Sequence, residues 1–141
     1  MSALICGRND PMQSSDSISK QQLGLQGEAE AARFLKKNGF KILVPRYRCR
    51  FGEIDLVARE GDVLVFVEVK TRASADFGDP SQAVTPEKQK HMSRVALDYL
   101  RRLKNPKIPV RFDIVEVISS ESVNQCNHIR DAFPLSEPYI Y

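Results

Sequence analysis

The chain has 141 residues, 42% hydrophobic and 28% charged, with a formal net charge of +3. That is enough to bury a core, and no apolar run approaches the length of a membrane span. The apolar "ALIC" near the start is too short for a secretory signal, and the odd, scattered Cys6, Cys49 and Cys126 fit free thiols better than a disulfide frame or a zinc site, so a cytoplasmic protein with no membrane partner is expected.

In chain order, residues 1–20 carry the polar "QSSDSIS", lack periodicity and read as a disordered tail, leaving 21–141 as a single domain. A helix is predicted from Gln21 to Asn38, closed by Gly39. Leu25, Glu28, Ala32 and Leu35 follow the spacing of one helical face, so Glu28 lies on the inward stripe. Placement at a rim or in the helix's first turn would tolerate it; so would a functional partner. "FKILV" (40–44) is a first strand stopped by Pro45, and "GEIDLVA" and "DVLVFVEVKTR" are the second and third. Thr85 and Pro86 open a second helix, with Met92, Val95, Ala96, Tyr99 and Leu103 inward and Lys90, Arg94 and Arg101 outward. "VRFDIVEVIS" (110–119) is a fourth strand, followed by a short "HIRDAF" element. The order αβββαβ predicts an α/β domain with a mixed central sheet flanked by helices.

Charge is unevenly spread. Lys41 to Gly52 holds Lys41, Arg46, Arg48 and Arg50 with no acid, and Pro86 to Lys104 holds six basic residues against Glu87 and Asp98, so the two segments carry +8. From Asp113 onward five acids stand against Arg130. Such polarity suits a polyanion on one face, although solvated surfaces alone would produce it equally well.

The hairpin "FGEIDLVAREGDVLVFVEVKTR" (51–72) carries the chemistry. Alternation puts Asp55 with Glu53 and Val57 on one face, Ile54 and Leu56 on the other; on the next strand Leu64, Phe66, Glu68 and Lys70 share a face. With Glu60-Gly61 as the turn, Glu53 faces Glu68 and Asp55 lies diagonal to it; with Gly61-Asp62, Asp55 faces Glu68 directly. Either turn gathers the carboxylates of Asp55 and Glu68, about 5 to 8 Å apart by their Cβ atoms. They must share a proton, a basic side chain such as Lys70, or a divalent cation. Hard oxygen donors without a His or Cys cluster favour Mg²⁺ or Mn²⁺ over zinc. Arg46, Arg48, Arg50 and Arg72 flank the hairpin and could clamp phosphates. "SADFGDP" (74–80) reads as a loop over the site, His128 as a structural histidine, and Glu53 has no assigned role.

An acidic residue, a hairpin and then Glu-x-Lys, here Asp55 and Glu68-Val69-Lys70, resembles the PD-(D/E)xK nuclease superfamily and its restriction-endonuclease-like fold. More closely, "GEAEAARFLKKNGF", "RCRFGEIDLVA", "FVEVKTR", "FGDP" and "RFDIV" together resemble the YraN family, bacterial proteins similar to archaeal Holliday-junction resolvases. The resemblance spans roughly Leu25 to Phe133; Ile54 stands where many superfamily members have proline. It implies metal binding by Asp55, Glu68 and the Val69 carbonyl, a catalytic Lys70 that positions or deprotonates water, and Glu28 completing the acidic cluster from the first helix. Lys88 resembles a basic residue near the site in related nucleases. The implied function is metal-dependent phosphodiester hydrolysis in DNA, branched or structured, by what analogy makes a homodimer. The alternative is a nucleic-acid-binding module of the same fold that does not cleave.

Overall fold

A computed structural model of the protein describes residues 22–72, 84–104, 107–119 and 124–136. The expected tail at 1–20 and the loop at 74–80 lie outside these residues. Helix α1 covers 22–37, followed by β1 (Lys41–Cys49), β2 (Gly52–Glu60), β3 (Val63–Arg72), α2 (Pro86–Arg101), β4 (Val110–Ser119) and β5 (Asn124–Phe133). The strands form one sheet in the order β1-β2-β3-β4-β5, antiparallel except for the parallel β3–β4 pair, which α2 connects. This is the expected α/β architecture, consistent with a restriction-endonuclease-like fold, and the short terminal element proves to be a full fifth strand.

Each face of the sheet packs on one helix. Ile54, Val57, Leu64, Phe66, Phe112 and Ile114 meet Met92, Val95, Ala96 and Leu100 of α2. Leu56, Ala58, Val65, Val67, Val115 and Val117 meet Ala31 and Leu35 of α1. The buried stripe of α1 therefore runs through Gly27, Ala31 and Leu35, whereas Leu25, expected to face inward, is 53% exposed. Gly27 explains the rotation: a Cβ there would fall 2.1 Å from Thr71 Oγ1, so the helix lies directly on β3. At the other end of α1, the Phe40 N–H donates to the Leu35 carbonyl and the Gly39 N–H to the Lys36 carbonyl, with Phe40 and Leu35 packed in the same cluster. Thr85 caps α2 as expected, its hydroxyl accepting from the Lys88 N–H at 3.1 Å. The Tyr47 hydroxyl donates to Asp98 at 2.6 Å and ties α2 to β1.

Pro45 does not stop β1, contrary to expectation. β1 is an edge strand, so the missing N–H of proline removes no bond the sheet needs, and Pro45 pairs with Leu56. The β2–β3 turn is Gly61-Asp62, since Glu60 pairs with Val63 and Leu56 with Val67. Gly61 has φ +58°, which selects glycine at the first turn position.

A partly buried ionic network joins the far ends of β2, β4 and β5. Arg111 holds both oxygens of Asp113 at 2.8 and 2.9 Å and reaches Glu60 at 2.9 Å, and Arg130 binds Glu60 at 2.6 and 2.7 Å. His128 Nε2 lies 2.7 Å from Asp113 and the Asp131 N–H donates to it at 3.0 Å. Burial pushes Asp113 upward, but the His128, Arg111 and Asp131 hydrogen bonds outweigh it and hold the carboxyl at about 2. The hydrogen bond from Arg130, against burial and aided by Arg111, likewise holds Glu60 at about 2. His128 thus has the structural role expected of it, edge-on to Phe34 and Phe40.

Gly27→Ala should destabilise the fold by about 1 to 3 kcal/mol in urea titrations through overpacking, despite a helix-propensity gain of about 1 kcal/mol. In a Thr71→Ala background most of that penalty should disappear. Asp113→Asn, which strands Arg111 and His128, should cost about 3 to 5 kcal/mol. Because its folded pKa lies below the unfolded value, the stability Asp113 contributes is present above about pH 4 and lost as pH falls towards about 2. The acid limb of the pH–stability curve should therefore flatten in the variant.

Candidate active site

The β2–β3 ladder is regular from Glu60↔Val63 to Leu56↔Val67, and one further step would place Asp55 opposite Glu68. There the ladder opens. The Val69 N–H donates to Asp55 Oδ2 at 2.8 Å, so a side-chain carboxylate takes the place of a backbone acceptor. Strict alternation fails at the same point: Ile54 packs with Val57 and Phe66 on the α2 side, although alternation assigned it to the face of Leu56. Across the sheet, the pairs Pro45↔Leu56 and Tyr47↔Ile54 bracket Arg46 beside Asp55. Arg46 has φ +57°, a conformation that costs a non-glycine residue about 1 to 3 kcal/mol.

The two carboxyl groups meet in this gap. Glu68, 5% exposed, is on the α2 side, with Lys70 Nζ at 3.5 Å and Lys88 Nζ at 3.6 Å from its Oε2. Asp55 lines an open pocket of about 340 Å³ on the α1 side, with Leu23, Gly24, Glu28, Val69 and Thr71. Burial and then the Glu68 charge push the Asp55 carboxyl up to about 7, against the hydrogen bond from the Val69 N–H, and the Glu28 charge adds to the rise. The site is therefore a seam between strands open to both helices, not one face of a flat hairpin.

Glu28 lies beside this seam on α1, its Oε2 accepting from Arg46 Nη2 at 2.9 Å. Asp55, Glu68, Val69, Lys70, Glu28, Arg46 and Lys88 are thus brought together. The remaining basic residues expected at the site are not. Arg72 turns to Glu116 of β4 at 2.9 Å. Arg48 pairs at 2.8 Å with Glu53, its cross-strand partner, which gives Glu53 a role. Arg50 lies over the Phe51 ring, 4.8 Å from its centroid. Glu116 was missed: it is 3% exposed, pairs in register with Lys70 and accepts from Asn127 at 3.2 Å. Its signal was a charge interrupting the apolar run of β4, the same kind that marks Glu68.

Among the described residues no three His, Cys, Asp or Glu side chains are grouped to enclose a metal ion, and Glu28 is held by Arg46. The donor set is two hard carboxylates with a neighbouring backbone carbonyl. It suits Mg²⁺ or Mn²⁺, which keep several waters and need few protein ligands, and does not suit zinc. No helix among the described residues is long and apolar enough to cross a membrane.

The model of a family described as "Uncharacterised protein family UPF0102" matches residues 27–117, a span that contains Glu28, Asp55, Glu68, Lys70 and Lys88. A UPF0102 protein of Caldicellulosiruptor saccharolyticus is 47% identical over 118 residues, covering 82% of this chain and all of the relative. Those of Geobacter metallireducens and Syntrophus aciditrophicus are 42% and 45% identical, covering 85% and 80% of this chain and 98% and 89% of their own lengths. The chain belongs to the UPF0102 family, which is the YraN family its motifs resemble.

Proposed function

We propose that the protein is a Mg²⁺- or Mn²⁺-dependent nuclease that hydrolyses phosphodiester bonds in DNA. The observation that carries this reading is the meeting of the Asp55 and Glu68 carboxyl groups at the opened end of the β2–β3 ladder, with two lysines beside them. A purely structural cluster would give each carboxylate a close basic partner. Glu68 instead has two lysines beyond hydrogen-bonding distance, and the hydrogen bond that Asp55 accepts comes from a backbone N–H.

Asp55 and Glu68 would hold the cation, with the Val69 carbonyl as a third protein ligand. The ion would supply a Lewis acid for the phosphoryl oxygen and lower the pKa of a bound water. Lys70, half-buried and paired with Glu68, positions the attacking water and offsets phosphate charge. Lys88 reaches the same carboxylate from the first turn of α2 and offers a second cation to the phosphate. Arg46 neutralises Glu28, so Glu28 acts by fixing Arg46 beside Asp55. A binding module of the same fold without hydrolysis would share the nucleic-acid contacts and lack metal-dependent cleavage.

Labelled linear, flapped and four-way DNA incubated with Mn²⁺, Mg²⁺ or EDTA tests the proposal. Cleavage should need the metal, disappear in Asp55→Asn and Glu68→Ala, and fall about 10²- to 10³-fold in Lys70→Ala. Wild-type rates in Glu68→Ala and Lys70→Ala would refute the assignment. The raised Asp55 pKa also has a sign. The protonated carboxyl favours the fold, and this contribution is lost as pH rises from about 4 through about 7. In EDTA, Asp55→Asn, a mimic of the protonated group, should therefore melt higher relative to wild type at about pH 8 than at about pH 5. Mn²⁺ should raise the wild-type melting temperature at the higher pH and leave the variant unchanged.

A further inference from the structure

Every arginine among the described residues other than Arg50, Arg94 and Arg101 lies within 4.0 Å of a carboxylate. Those three gather at one place. Arg50 and Phe51 form the turn between β1 and β2, and Arg94 comes from the outer stripe of α2. The Arg50 and Arg94 guanidinium carbons stand 4.8 and 4.6 Å from the centroid of the Phe51 ring. Phe51, Arg94, Leu97 and Arg101 line one open pocket of about 170 Å³. Arg94 also borders a second of about 440 Å³, with Lys90, His91 and Glu87; Glu87 makes no ion pair with either arginine among the described residues.

Two guanidinium groups on one aromatic ring repel each other, and the ring's attraction, about 0.5 to 1 kcal/mol for each at an exposed site, is a modest return. In a protein that pairs its other described arginines so consistently, the arrangement suits an anion that arrives from outside. Guanidinium planes also stack on nucleobases, which lysines cannot do. Lys90, Arg94 and Arg101 share one face of α2, and Lys88 on the same helix reaches Glu68. From Lys88 to Arg101 the helix rises about 20 Å, the length of about six base pairs.

We propose that the Arg50–Phe51–Arg94 stack, continued by Arg101 and Lys90, is a second nucleic-acid contact, which holds the strand leading away from the Asp55–Glu68 seam by phosphate pairing and guanidinium–base stacking. This deepens the nuclease reading and rests on its nucleic-acid substrate.

The test is fluorescence anisotropy of single-stranded and duplex DNA of about 30 nucleotides in EDTA, across a salt series. Arg94→Ala/Arg101→Ala should weaken binding about 10-fold or more and reduce the slope of log K against log salt by about one to two. Phe51→Leu, which keeps the apolar packing and removes the platform, should weaken single-strand binding about 3-fold or more with the slope unchanged. Arg33→Ala, at an exposed pair on α1, is the control and should bind as wild type. Circular dichroism melting checks that each variant folds. With Mn²⁺, the double arginine variant should need more DNA for half-maximal cleavage while retaining the saturated single-turnover rate; Glu68→Ala should lose the rate and keep the binding. Wild-type affinity and salt slope in a folded double variant would overturn this inference alone. Absence of any salt-dependent DNA binding by the wild type would remove the nucleic-acid reading together with it.

Discussion

The hydrogen bond from the Val69 N–H to the Asp55 carboxylate is the interaction on which the candidate site depends. A β-ladder normally closes on itself, each N–H finding a carbonyl across the gap. Here β2 leaves β3 after Leu56, and the orphaned N–H is satisfied by a side chain that is thereby locked in place. One substitution of acceptor satisfies the backbone, opens a seam and aims a carboxyl group at Glu68. The strained Arg46 on the other side of Asp55 belongs to the same local rearrangement, since it carries its guanidinium to Glu28.

The two sets of acids in the sheet contrast in a way that separates architecture from chemistry. Asp113 and Glu60 are surrounded by arginines, a histidine and a backbone donor, and their carboxyls are held at about 2. Asp55 faces another carboxyl across a gap and is pushed up to about 7. Both sets sit in β-strands of similar apolar content. What differs is compensation: one is closed by hydrogen bonds within the chain, whereas Asp55 makes no ion pair among the described residues and the lysines beside Glu68 stay 3.5 and 3.6 Å away. Incomplete compensation is tolerable where an ion or a phosphate group completes it.

Much of this was legible in the residues because local chemistry decided it. Thr85 and Pro86 mark the start of α2, Gly39 the end of α1, and Gly61-Asp62 was one of the two two-residue turns the hairpin offered. The failures came from tertiary context. Pro45 reads as a strand breaker until β1 is known to be an edge, and Leu25 reads as inward until Gly27 is seen to rotate α1 onto Thr71. Ile54 cannot be placed by alternation, because alternation assumes the ladder that Asp55 interrupts. Asp113 and Glu116 were visible as charges in an apolar strand, but apart from Arg111 on the same strand their partners Arg72, Asn127 and His128 come from neighbouring strands.

The irregularities in the outer strands have an effect on how the protein behaves among its own copies. β1 carries a register shift between Ile42 and Val44, a proline and a left-handed Arg46; β5 carries a left-handed Asp131, and the β4–β5 ladder shifts between Phe112 and Ile114. A flat strand edge recruits further strands and seeds aggregation, and bulges, prolines and charges along it defeat that templating. Among the described residues, both outer strands of this five-stranded sheet are blunted. Neither strand offers the flat edge on which copies of a chain pair sheet to sheet. The contortion at Arg46 that serves the seam also breaks the flat template its first strand would otherwise present.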